Sequence, residues 1–337
     1  MPKPLKKRFG KKTKIILLVI AALIATVIIV DQTTPRPFVA LFRGFIGSLD
    51  SVVTVGPYEK DIELATQVSQ VDIPVEGLPD ATLTIYAPKQ PSDRPLPIIF
   101  YIHGGGWVVG TAKSVEPYAK LLASNGYLVA NLEYSLAPEH PYPTPIEQSI
   151  AAINYLQLHD KDFNADATKF FIAGNSAGAQ IAAQLGAVAT NSEFEKKMNV
   201  DMRLAPESLK GLILFNGVYD FQTVGKDNFP GFPKFAWSYT GKKDYRTYSR
   251  IDELSTVKNA TSTYPATFLT AGDADPIEAQ THQFDAVLRA QGIDVTSLYW
   301  TGSGNKLPHD YIYQLEIEPA QRAYQDVLKF LKMKARE

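Results

Sequence analysis

Apolar residues fall into three patterns along the chain. Residues 15–30 (IILLVIAALIATVIIV) form an unbroken apolar run in which Thr26 is the only polar position. A helix over that run spans roughly 24 Å at about 1.5 Å per residue, a little short of a hydrocarbon core of about 30 Å. Residues 37–49 (PFVALFRGFIGSL) repeat apolar positions at helical spacing, which predicts an amphipathic helix packed on the domain or lying on a membrane surface. Beyond residue 60, runs of strand type alternate with helical periodicity. Strands are predicted over 81–87, 96–102, 127–133, 169–173, 212–216, 266–271 and 295–300, with helices near 114–124, 144–158, 177–190, 276–291 and 318–333. Continuous apolar strands such as PIIFYI and GLILF suit a sheet buried on both faces. The alternation predicts an α/β fold with a mostly parallel central sheet flanked by helices.

Charge changes the picture of the first segment. The formal net charge of the 337 residues is -1. That total conceals Lys3, Lys6, Lys7, Arg8, Lys11, Lys12 and Lys14, seven cations with no acid among the first 14 residues; without them 27 basic face 35 acidic residues, a net of -8. A core helix would not begin with stacked cations, and no A-x-A cleavage pattern follows Ala25 or Val30. Residues 1–14 therefore read as a cytoplasmic basic segment and residues 15–30 as a single transmembrane signal anchor. Residues 31–60 form a linker that holds the predicted amphipathic helix, and 61–337 a domain on the extracytoplasmic side. The basic run needs no nucleic acid to explain it.

Nine aromatics between residues 219 and 248 mark an insertion, about 219–262, that is either a cap over a site or a small satellite core.

The chain has no cysteine, which excludes disulfides, thiolate metal sites and cysteine nucleophiles. Candidate chemistry lies in Gly174-Asn175-Ser176-Ala177-Gly178, a G-x-S-x-G between the strand KFFIA and a helical AQIAAQLGAVA. In that context the turn lifts the serine hydroxyl clear of the sheet, and the helix N-terminus suits a developing oxyanion. His103-Gly104-Gly105-Gly106-Trp107 closes another strand, and its glycines let backbone N–H groups approach a ligand. A dinucleotide loop through Gly104, Gly106 and Gly110 with Glu133 is the rival reading; its spacing is off by one and it leaves the serine turn unexplained. A serine nucleophile needs a base. The order nucleophile, acid, histidine excludes His103, His140 and His159; His282 is mid-helix, whereas His309 lies in a loop after the last strand. Its requirement for a neutral imidazole predicts that activity falls below about pH 6 to 7. Either Asp273 or Asp275 can be the acid, the other capping the helix that follows. No metal or cofactor is called for.

With these residues in hand, roughly residues 60–335 resemble the hormone-sensitive-lipase-like α/β-hydrolases. The carriers are HGGGW with Gly110, YSLAPEHPYP at 134–143, GNSAG, DADP and LPHDY. The resemblance implies a carboxylesterase acting on small-molecule esters, with Ser176, Asp275 and His309 as triad. It assigns the oxyanion hole to the N–H groups of Gly104, Gly105 and Ala177, and it implies a cap built partly from the N-terminal segment. Asn175 stands where Asp is usual, Ala179 where Gly is common and Asp310 where Gly usually follows the histidine.

Overall fold

The computed structural model describes residues 10–46, 53–224, 229 and 231–337. Its centre is one eight-stranded sheet: β1 (Ala65–Ile73), β2 (Ala81–Pro88), β3 (Leu96–Ile102), β4 (Leu128–Glu133), β5 (Ala165–Asn175), β6 (Leu209–Phe215), β7 (Thr267–Ala271) and β8 (Val295–Tyr299). The spatial order is β1-β2-β4-β3-β5-β6-β7-β8. β1 pairs with β2 and β2 with β4 antiparallel; every other pairing is parallel. The mostly parallel sheet is therefore as expected.

β1 was not expected. Its sequence ATQVSQVDI is mostly polar, with apolar residues at 65, 68, 71 and 73 and no regular alternation; it lies at the sheet edge, and Val68, at a register shift, is half exposed. Such a strand is held by its ladder with β2 more than by its own burial.

The interior strands have core on both faces. Along β3, Ile98, Phe100 and Ile102 pack into one apolar layer and Ile99 and Tyr101 into the other, all fully buried. Period-two alternation of side chains thus serves two cores at once.

Helix α1 (Lys11–Thr33) extends past the apolar run at both ends, and its 23 residues span about 34 Å. It is long and apolar enough to cross a membrane, with a mean hydropathy of 2.8 over an 18-residue window, none of it buried. Basic residues 3–8 lie outside the described residues. After a short break, α2 (Arg36–Ile46) lies against the catalytic domain; residues 47–49 of the predicted helix also fall outside the described residues. Phe38 and Phe42 of α2 meet the ring of Phe235 edge-on at 5.3 and 5.0 Å, and Val39 is buried, while Leu41 and Phe45 on an adjoining face are each 77% exposed. The end of α1 is tied to the helix Phe232–Thr240 and the turn after it: Lys234 Nζ lies 2.7 Å from Asp31 Oδ2, and Lys243 Nζ donates to the Gln32 carbonyl at 2.9 Å.

The aromatics of the insertion after β6 divide. Tyr219, Phe221, Tyr239 and Tyr245 are buried in the main core, and Tyr239 stacks on Trp107 at 4.7 Å between centroids. Phe229 and Phe235 instead face the cavity described below.

A close backbone approach lies between β3 and the helix Ala177–Thr190. A Cβ on Gly178 would stand 2.1 Å from the Ile102 carbonyl oxygen and 2.6 Å from that of His103, both backbone atoms that cannot swing away. Gly178→Ala is expected to cost at least about 3 kcal/mol through overpacking and to lower Tm by about 6 °C or more, read from a thermal melt of the detergent-solubilised chain. An unchanged Tm would contradict this packing.

Candidate active site

β5 runs straight into the sharp turn at Ser176, whose φ of 52° and ψ of -116° are unusual for a residue with a side chain. The ladder holds it there, because Ser176 N–H donates to the Phe215 carbonyl at 2.8 Å. Strain of this kind persists only where the surroundings over-determine the backbone. It puts the hydroxyl above the C-terminal edge of the sheet at the N-terminus of the helix Ala177–Thr190.

The loop after β8 brings His309 over this edge. Its Nε2 lies 2.9 Å from Ser176 Oγ and its Nδ1 2.9 Å from Asp275 Oδ2. Asp275 follows β7 and its side chain is fully buried. Its Oδ2 also accepts from Asn216 Nδ2 at 2.5 Å and its Oδ1 from Ile277 N–H at 2.9 Å. The two carboxylates that spacing left open are thus separated by geometry. Asp273, expected as a helix cap if it was not the acid, does something else: its Oδ1 accepts Leu307 N–H at 2.6 Å and its Oδ2 the Ser303 hydroxyl at 3.0 Å. It pins the loop that carries His309, and neither carboxylate caps the helix Glu278–Ala290.

The glycine-rich coil after β3 faces Ser176. Gly105 has φ 114°, and a Cβ there would lie 1.8 Å from the Val109 carbonyl oxygen, so only glycine fits. One expected donor needs correction. Gly104 N–H is already engaged, donating to Asn175 Oδ1 at 2.9 Å, because the Asn175 side chain lies beneath the coil. Among the described residues, the N–H groups of Gly105, Gly106 and Ala177 have no acceptor within the protein. Glu133, the ribose ligand of the rival nucleotide reading, accepts Ala112 N–H at 2.6 Å and so anchors this same region.

The segment 134–143 supports that coil, a role its sequence did not disclose. Tyr134 stacks on His103 at 4.3 Å, and Ala137 N–H donates to the Trp107 carbonyl at 2.9 Å. Tyr142 joins a buried hydrogen-bond chain running from Trp107 Nε1 through Gln180, Gln184 and Tyr142 Oη to Glu253. Arg43 of α2, also unforeseen, donates from Nε to the Val108 carbonyl at 2.7 Å and from Nη2 to Ala137 O and Glu139 Oε2, each at 2.8 Å.

Two histidines stand in contrast, His103 fully buried and His309 partly so. Burial pushes His103 down to about 4, despite the hydrogen bond from Nδ1–H to the Gly104 carbonyl, and keeps its ring neutral. For His309, burial also opposes the charged form, but the carboxylates of Asp310 and Asp275 outweigh it and raise the imidazole to about 9. His282 lies away from this site, near Glu278 and against the Tyr299 ring.

A cavity of about 590 Å³ opens onto Ser176 and His309, with apolar walls that include Val109, Leu136, Phe229 and Phe235. Phe229 approaches the His309 ring at 5.4 Å. Among the described residues, no group of three or more His, Asp or Glu is placed to hold a metal ion.

Comparisons with known proteins agree with this architecture. A family model described as alpha/beta hydrolase fold matches residues 99–311, more than half of the chain. An esterase of Gibberella moniliformis is 29% identical over 247 residues, covering 71% of this chain and 74% of its own. Carboxylesterase NlhH of Mycobacterium tuberculosis is 27% identical over 233 residues, covering 68% and 72%. Esterase B of Lactobacillus rhamnosis, at 18% identity, superposes with a TM-score of 0.77 over 91% of this chain and 97% of its own, a likeness of fold. The chain belongs to the α/β-hydrolase family that contains the hormone-sensitive-lipase-like esterases, and it is a carboxylic ester hydrolase.

Proposed function

We propose that Ser176, His309 and Asp275 are the catalytic triad of a serine carboxylesterase for small-molecule esters of short to medium acyl chain. The observation that carries this is the unbroken line from Ser176 Oγ to His309 Nε2 and from Nδ1 to Asp275, at 2.9 and 2.9 Å, on the wall of the cavity. His309 takes the proton of Ser176 Oγ as that oxygen attacks the ester carbonyl. The tetrahedral oxyanion is held by the N–H groups of Gly105, Gly106 and Ala177, since Gly104 is engaged elsewhere. His309 then protonates the departing alkoxide, and water repeats the sequence to release the acid. Asp275 holds the Nδ1–H tautomer and stabilises the cation, while Asn216 and Ile277 N–H hold Asp275. The cavity of about 590 Å³ is within the range of ordinary small-ligand pockets and its walls are largely apolar, which favours modest acyl chains.

We further infer that α1 spans a membrane as an uncleaved anchor, with its basic end in the cytoplasm and the hydrolase on the other side. Support comes from its length, from the cations before it, and from α2, whose Leu41 and Phe45 present an apolar face next to the span.

Ser176→Ala is expected to reduce p-nitrophenyl acetate hydrolysis by several orders of magnitude, and retained turnover would sink the assignment. Asp275→Asn should reduce kcat by about 10⁴-fold, whereas Asp273→Asn, which only loosens the loop, should cost far less; equal losses would count against the choice of acid. The base acts only when neutral, and its neutral fraction grows as pH rises through the imidazole pKa of about 9. kcat/KM should therefore climb with pH well above neutrality, higher than an unperturbed histidine would give; a profile already flat from pH 7 would contradict that environment. Extraction of membranes with alkaline carbonate should leave the chain in the pellet, and its release would count against the anchor.

A further inference from the structure

Two departures from the family's usual motifs, Asn175 and Asp310, are bonded to each other. Asn175 Nδ2 donates to Asp310 Oδ2 at 2.9 Å, and Asn175 Oδ1 accepts Gly104 N–H at 2.9 Å. Where the family usually places an acid beside the nucleophile and a glycine after the histidine, this chain has an amide and an acid. The carboxylate has changed sides.

Its new position faces the reacting nitrogen. Asp310 has φ 58°, and its Oδ2 stands 3.8 Å from His309 Nε2, the nitrogen that meets Ser176 Oγ at 2.9 Å. Its Oδ1 is buried without a partner. His309 thus has one acidic side chain at each ring nitrogen; burial raises the Asp310 carboxyl above its ordinary range, while the His309 charge and the Asn175 amide act in the other direction. Few other charges compete. The nucleophile turn contributes only neutral Asn175 and Ser176, the cap contributes the Phe229 ring, and Asp275 comes from the loop after β7. Arg43 and Lys113 line the cavity, but Arg43 is engaged with Val108 O, Ala137 O and Glu139. With Asp310 Oδ2 bonded to the Asn175 amide at 2.9 Å and 3.8 Å from Nε2, Ser176 Oγ keeps the closer place at that nitrogen.

We propose that Asp310 is a positioning residue for His309, favouring the protonated imidazole from the Nε2 side and so setting the hydrolase to work on the alkaline side of neutrality. The inference rests on the triad assigned above. When the Oγ proton moves to Nε2 and the new C–O bond forms, the imidazolium sits between two carboxylates; when the proton passes to the leaving alkoxide, that stabilisation is given up. Asp310 thereby strengthens the base and weakens the acid, and at low pH it holds the enzyme in the inactive protonated form.

The experiment compares pH profiles of kcat/KM on p-nitrophenyl acetate from pH 5 to 10 for the full chain in detergent, unaltered and as Asp310→Asn and Asp310→Gly. Both replacements suit the left-handed backbone at this position. The acid limb of each should move down by about one pH unit or more, raising kcat/KM at its foot about tenfold relative to that enzyme's own plateau. Because the limb is read against each plateau, a partly folded sample does not obscure it. An unmoved limb in both variants, with or without a lower plateau, overturns the proposal while Ser176 still labels with a fluorophosphonate. Failure of the triad itself would look different: Ser176→Ala would remain active.

Discussion

The active site hangs from the contact between the first turn of the helix Ala177–Thr190 and the carbonyl end of β3. With Gly178 against the Ile102 and His103 carbonyls, the helix N-terminus can lie beside the glycine coil, so that a strand end, a helix start and a loop share a few ångströms. Both Ser176 and the free N–H groups of Gly105 and Gly106 owe their proximity to it. The positive φ of Ser176 is a local cost that this packing and the bond to Phe215 O sustain. Replacing either contact with looser packing would leave the same residues in the chain without their mutual geometry.

The remaining polar groups divide between holding this arrangement and supplying its charge. His103 sits under the coil, neutral through burial, with its ring on Tyr134 and its Nδ1–H on the Gly104 carbonyl. His309 is less deeply placed, its side chain 19% exposed, and it meets carboxylates that favour its charged form. The same side chain is thus a packing element in one loop and a bridge between Ser176 and Asp275 in another, and neighbours make the difference. Asp273 and Asp275 repeat the lesson two residues apart. One holds the loop and the other the imidazole, since only Asp275 projects inward from the end of β7.

The legible parts of this fold were those with a strong local signal. β3 and the helix Ala177–Thr190 match their expected limits because unbroken burial and helical spacing leave little ambiguity. β1 escaped because an edge strand with an exposed face reads like any polar stretch, and its partner β2 supplies what its own sequence does not. In the site, G-x-S-x-G and the late loop histidine are local features and pointed to Ser176 and His309. Asn216, which holds Asp275, and Arg43, which holds the Val108 carbonyl, depend on contacts between segments 59 and 65 residues apart, so no spacing rule reaches them. Asn175 and Asp310 were visible only as departures; their pairing across 135 residues needed coordinates. The engagement of Gly104 N–H escapes the sequence for a related reason, as nothing local shows that a distant amide takes it.

Arg43 gives the N-terminal segment a place in the chemistry as well as in location. The end of α1 is fastened at Asp31 and Gln32 to Lys234 and Lys243, and α2 continues to Arg43, which grips Val108 in the glycine coil. Phe38 and Phe42 meanwhile bear on Phe235, whose ring lies over Gly106. The same ring lines the cavity. Two routes, one polar and one aromatic, therefore join α2 to the coil, at Val108 and at Gly106. A segment fixed at both ends in this way cannot shift without disturbing the backbone donors beside Ser176. Removing residues 31–46 to obtain a simpler domain would also strip the Val108 carbonyl of its guanidinium and open the cavity wall, so the N-terminal segment belongs to the site even though it contributes no reacting atom.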